Sequence, residues 1–84
     1  MTYSVSFTKQ AYKELEKISE PFYSKIKLAI QNLKDNPRPY GCIKLKGRDS
    51  YRIRVGDYRV IYDIFDKDLV VDIIKVGNRG EVYE

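Results

Sequence analysis

Gly56 and Asp57 stand between two alternating runs, Tyr51–Val55 and Tyr58–Tyr62. A Gly-Asp pair flanked by such alternation predicts a two-residue β-hairpin turn. In that register Val55 lies opposite Tyr58, Arg54 opposite Arg59, and Ile53 opposite Val60. Side chains alternate between the faces of a strand, so Arg52, Arg54 and Arg59 all project from one side. Like charges directly opposite each other cost a strand pair something within the ~0.2–1 kcal/mol range of cross-strand interactions. Folding alone explains such a face poorly; a bound polyanion explains it well. The competing account is a solvated face balanced by Asp57, Asp63 and Asp72, in which Asp63, on the Arg59 face by parity, pairs with that arginine.

The chain is 84 residues long, the size of one small domain with a modest core. Its hydrophobic content of 43% is that of a folded protein rather than a disordered one. Cys42 is the single cysteine and there is no histidine, which argues against an internal disulfide framework, a zinc cluster or a histidine-based acid–base pair. No metal or cofactor is expected. The N-terminus alternates through Tyr3, Val5 and Phe7 instead of forming the apolar core of a signal peptide, and no run approaches a membrane span. Cytoplasmic residence is the expectation. A net charge of +4 and a pI near 9.2 are weak evidence for a nucleic-acid partner, because acidic residues are interspersed with the basic ones. What matters is the face that each charge occupies.

Tyr3, Val5 and Phe7 predict a strand with one buried side. Thr8 caps a first helix through Lys17, with Ala11, Leu15 and Ile18 as its apolar stripe. A second helix starts at Ser19 or Glu20, with Pro21 in its first turn and Phe22, Ile26, Ala29, Ile30 and Leu33 facing inward. The prolines at 37 and 39 end it. From Tyr40 the period changes to two: Ile43 and Leu45 suggest a short strand, the hairpin follows to about Phe65, and Asp66–Asp68 turns the chain into the apolar run Leu69–Val76. That last strand belongs inside the sheet, covered on both faces. Its register is open: a three-residue loop pairs Lys75 with Arg59, and a two-residue loop pairs Ile74 with it.

The expected fold is α+β: an N-terminal strand and an antiparallel helical hairpin packed on one face of a mainly antiparallel, four- to five-stranded twisted sheet. The expected core is Tyr3, Val5, Phe7, Leu15, Ile18, Phe22, Ile26, Ile30, Leu33, Ile53, Val55, Val60, Tyr62 and Ile64. The uncovered face then carries the arginines.

At Lys44–Gly47, Tyr51–Tyr62 and Val76–Tyr83 the sequence resembles the RelE/ParE toxin superfamily, nearest its RelE-like branch, over nearly the whole chain. The resemblance implies a single RelE-like domain spanning residues 1–84, with the β-α-α-β-β-β order read above. It implies the toxin of a type II toxin–antitoxin pair, an endoribonuclease that cuts mRNA in the ribosomal A site by attack of a 2′-hydroxyl on the adjacent phosphate. Its partners would be the ribosome, mRNA and a small antitoxin with a disordered segment that wraps the toxin into a hetero-oligomer, with no membrane involved. A ParE-like gyrase inhibitor without nuclease activity, and a degenerate RNA- or antitoxin-binding relative, are the alternatives.

The family's functional positions fall on Arg52, Arg54, Arg59, Arg79 and Tyr83. The best-known RelE pattern has lysines at positions 52 and 54, one of them proposed as the general base, and many relatives have His-Arg where this chain has Asn78 and Arg79. Arginine stays protonated and makes a poor base. Positioning and charge stabilisation are therefore the expected contribution of Arg52, Arg54 and Arg59. Arg79 is expected at the leaving oxygen or a phosphate, against a frayed terminal arginine. Tyr83 is expected to stack on a base, orient the substrate or donate to a phosphate, against packing on the domain. Lys44, Lys46 and Lys75 are expected to contact RNA; the first two are otherwise edge-strand lysines that discourage aggregation.

Overall fold

Strand β1 (Ser4–Phe7) opens the computed structural model, which describes residues 2–47 and 49–78. Thr8 then converts strand into helix. Its backbone is extended, and its Oγ1 accepts the Ala11 N–H at 3.1 Å, capping helix α1 (Lys9–Glu16). The Thr8 N–H donates to the Ile73 carbonyl at 2.9 Å, so the cap is also bonded to the sheet. Helix α2 (Phe22–Asn32) begins with Pro21 at the N-cap position. The Glu20 carboxylate accepts the Ser24 N–H at 3.1 Å and the Ser24 hydroxyl at 2.7 Å, doing the work that Pro21 cannot.

Strands β2 (Ile43–Lys44), β3 (Ser50–Val55), β4 (Tyr58–Phe65) and β5 (Val70–Asn78) follow. The five strands run β1-β5-β4-β3-β2 across the sheet, with β1 parallel to β5 and every other pair antiparallel. This is the expected α+β arrangement, with α1 over β5 and α2 over β3. The hairpin has the expected register: Val55 faces Tyr58, Arg54 faces Arg59 and Ile53 faces Val60. Gly56 turns with φ +61°, a conformation that a side chain would oppose.

Neither anticipated register of β5 is found. Residues 66–69 make a four-residue connection, and Leu69 itself adopts φ +54°. Tyr62 pairs with Ile73 but Ile61 pairs with Lys75, which leaves Ile74 as an extra residue in a bulge. Arg59 consequently lies opposite Gly77, rather than Lys75 or Ile74.

Beneath the helices lies a core of Ala11, Leu15, Ile26, Ile30, Leu33, Ile53, Val60, Tyr62, Ile64, Val71, Ile73 and Val76. Tyr3, Val5, Ile18 and Val55, expected in the core, are only partly buried and pack against its margin. Phe7 and Phe22, expected inside, are each 36% exposed. Phe7 ends a short edge strand and Phe22 starts a helix, so neither has neighbours on all sides; Phe22 instead lies against Tyr58, ring centroids 5.3 Å apart. The opposite face is not bare. Leu45 and Ile61 are buried there with Ile74 packed against them, so the bulged residue helps build a second, smaller apolar cluster.

Polar clasps close the far end of the sheet. The Tyr62 hydroxyl, wholly buried, donates to the Pro37 carbonyl at 2.8 Å, and burial pushes its pKa upward. Arg38 forks onto Asp66 at 2.9 and 3.2 Å and donates to the Tyr51 hydroxyl at 3.2 Å, while the Tyr3 hydroxyl donates to Asp66 at 2.6 Å. These contacts join β1, the α2–β2 connection, β3 and the β4–β5 turn. The bonds from Arg38, then from Tyr3, hold the Asp66 carboxyl down to about 2. Among the described residues no helix is long and apolar enough to cross a membrane.

Two outcomes are expected. Tyr62→Phe leaves the Pro37 carbonyl buried without its donor and should cost about 1–3 kcal/mol in denaturant unfolding. The Asp66 contribution is fully present above the ordinary carboxylate pKa near 3.8 and fades as pH falls toward 2. Asp66→Asn should therefore lower stability at neutral pH and flatten the loss between about pH 4 and pH 2; an unchanged acid limb would refute this role.

Candidate nucleic-acid interface

Strand parity places Arg52, Arg54 and Arg59 on the sheet face that the helices leave open, yet the three differ in depth. Arg54 is exposed and stands directly opposite Arg59, which is half-buried. Arg52 retains only 8% exposure, between Ile43 on β2 and Ile61 on β4. The accessible cationic feature is thus the Arg54–Arg59 pair beside the hairpin turn, with Arg52 set beneath the surface. A guanidinium presents a rigid fork of donors that matches two phosphate oxygens, and it does not give up its proton. These groups can hold an anion and stabilise charge developing on it; they cannot serve as bases.

The lysines are scattered. Lys44 is exposed on the short β2 edge and pairs with Asp49 at 3.6 Å, and Lys46 is exposed in the following turn. Lys75 does not join the arginines: its ammonium is 3.3 Å from Glu14 of α1, and its side chain is 31% exposed. Arg79 and Tyr83 lie outside the described residues. No group of three or more side chains suited to a metal ion converges among the described residues.

Two features around this sheet escape a sequence reading. One is a transverse row of Ser50, Asp63, Asp72 and Ser6 on four adjacent strands. Asp63 accepts the Ser50 hydroxyl and Asp72 accepts the Ser6 hydroxyl at 2.9 Å. Asp63 therefore binds a serine where pairing with Arg59 was the competing expectation. At ~3.3 Å per residue the Asp63 row lies ~13 Å along the strand from Arg59, beyond one physiological Debye length of ~8 Å. The face is polarised, cationic at the hairpin end and acidic at the other, so an anion is drawn to the turn. The other missed residue is Glu14, which accepts the Val76 N–H at 3.0 Å as well as holding Lys75. Its i, i+4 neighbours make it look like any solvated helix charge; only the end of β1 beside Ile73 creates the need for it.

The fold agrees with comparison to known proteins. The model of the ParE toxin of the type II toxin–antitoxin system parDE matches residues 5–83. The mRNA interferase toxin RelE of Escherichia coli K12 is 33% identical, with 99% of this chain and 92% of that protein aligned. Among solved structures, the archaeal RelE–RelB complex from Pyrococcus horikoshii superposes with a TM-score of 0.84 at 39% identity, covering 98% of this chain and 100% of that one. The intact E. coli RelBE toxin–antitoxin complex gives 0.81 at 30% identity, covering 90% and 95%. The chain belongs to the ParE toxin family of type II toxin–antitoxin systems, within its RelE-like branch.

Proposed function

We propose that this toxin is an mRNA endonuclease that works in the ribosomal A site, and so acts in the cytoplasm. A ribose 2′-oxygen attacks the adjacent phosphorus, the P–O5′ bond breaks, and the proton lost by the 2′-hydroxyl is balanced by one gained at the departing 5′-oxygen. The product ends are a 2′,3′-cyclic phosphate and a 5′-hydroxyl. The observation that carries this reading is the Arg54–Arg59 pair, two guanidinium groups opposed on one open face. Together they bind the scissile phosphate and stabilise the extra charge on its oxygens as the fifth bond forms. Full-length similarity to a protein named mRNA interferase supports it. Arg52, next to the pair on the same face, contributes to its field, Lys44 and Lys46 supply flanking phosphate contacts, and Arg79 and Tyr83 keep the leaving-oxygen and base roles that the family resemblance implies. The ribosome positions the transcript.

The matching family model is that of ParE, so inhibition of DNA gyrase is the reading to be separated. Expression without an antitoxin should arrest translation, with transcripts cut inside codons; arrest of DNA synthesis with intact transcripts would establish the gyrase reading instead. The RelE–RelB complexes among its structural relatives support an antitoxin partner, expected here to be a small protein whose disordered segment folds over the toxin and covers the basic face.

Arg59→Ala should lower transcript cleavage by about 10²–10³-fold in a fold that stays intact, the scale of losing one transition-state donor. Arg54→Leu should do the same while leaving stability equal or up to ~1 kcal/mol higher, because it removes a like-charge pair. Each change should also reduce the salt slope of single-stranded RNA binding by ~0.7. Unfolding of Arg54→Leu, or a flat salt response, would sink the phosphate-binding role.

A further inference from the structure

Tyr40 is the most exposed large hydrophobic side chain among the described residues, wholly open to solvent. Its backbone is nevertheless fixed by a turn. The Cys42 N–H donates to the Pro39 carbonyl at 3.0 Å, and Gly41 follows Tyr40 at φ +90°. That is a type II turn, with the glycine at the position demanding positive φ and Tyr40 at the preceding corner. A side chain at residue 41 would strain this turn, which leaves the Tyr40 ring exposed at the rim of the neighbouring groove. Other exposed apolar residues, such as Tyr12 and Leu28, sit on helix faces and need no such device.

Beside the ring is an open groove of about 410 Å³ lined by Ala29, Asn32, Tyr40, Gly41, Ile53 and Arg54. β2 pairs with β3 only as far as Arg52, so the groove runs along the β3 margin that β2 leaves uncovered. Its walls are apolar and aromatic, its hydrogen-bonding groups are an amide and a guanidinium, and no carboxylate lines it. Arg54 belongs both to this groove and to the pair facing Arg59.

Resting on the RNA-cleaving reading above, we infer that this groove takes one unstacked nucleobase of the bound strand, packed on Tyr40 and hydrogen-bonded by Asn32, while Arg54 holds the attached phosphate. An aromatic face with a neighbouring cation is how proteins grip single-stranded bases, and an amide can both donate to and accept from a base edge. Tyr40 is a positioning residue: it sets which nucleotide register reaches the arginines.

The test is binding of the full-length toxin to a fluorescent, 2′-O-methylated single-stranded RNA oligonucleotide, repeated with an abasic nucleotide at each position in turn. Tyr40→Ala should weaken binding to the intact oligonucleotide about tenfold, and Tyr40→Phe by no more than about twofold, since the ring alone supplies the stacking. At one abasic position the Tyr40→Ala effect should vanish. No effect of Tyr40→Ala, or an equal loss at every abasic position, would overturn the base site. Arg54→Ala separates the two levels: weakened binding by Arg54→Ala but not by Tyr40→Ala removes the base site and leaves the phosphate reading standing. Indifference to both changes removes both.

Discussion

A two-residue turn sets the logic of this molecule. Because Gly56 reverses the chain without inserting a residue of odd parity, β3 and β4 meet with Ile53, Val55, Tyr58, Val60 and Tyr62 on one side and Arg54 and Arg59 on the other. One slip of register would turn the core residues to solvent and the guanidinium groups into the helices. Hydrophobic burial under α1 and α2 therefore enforces the cationic pair as well as the fold. The cost of placing like charges opposite each other is small against burial of several aliphatic and aromatic side chains, each worth ~1.5–3 kcal/mol. Core formation wins, and the charges are held where it puts them.

The open face carries more structure than a charged surface needs. The Ile61–Ile74–Leu45 cluster gives β4 and β5 apolar support on the side away from the helices. Arg52 pairs with Ile61 of that cluster and is nearly buried, and the Arg54–Arg59 pair follows on the next rung of the same face. With serines bonded to Asp63 and Asp72 at the other end, the field across the face has a direction. A field oriented before the reaction is suited to stabilising a transition state, because little reorganisation is needed as the reaction proceeds.

Much of this was legible in the residues. Capping by Thr8 and the hairpin register follow from local chemistry, which is short-ranged and written in a few positions, whereas α2 ends at Asn32, short of the prolines expected to stop it. The strand inside the sheet was legible from its apolar run. What local patterns could not supply was pairing between β4 and β5, since a four-residue turn with a bulge gives a parity that no count of turn residues reveals. Two errors followed from that gap. Val71, Ile73 and Val76 lie in the core without being expected there, and Lys75, opposite Arg59 in one of the two anticipated registers, is held by Glu14 instead. The burial of Arg52 was equally hidden, because it depends on Ile61 and Ile43 arriving from other strands.

Glu14 has a wider consequence. β1 stops at Phe7, opposite Ile73, while β5 continues to Asn78, so a stretch of β5 outlasts its neighbour. Such overhangs are where sheets from separate molecules stitch together. Here a helix carboxylate takes the Val76 N–H in place of a strand carbonyl, and its second oxygen binds the adjacent lysine. One donor of the overhang is thus occupied from within the molecule, which makes that stretch of β5 a poorer template for a foreign strand.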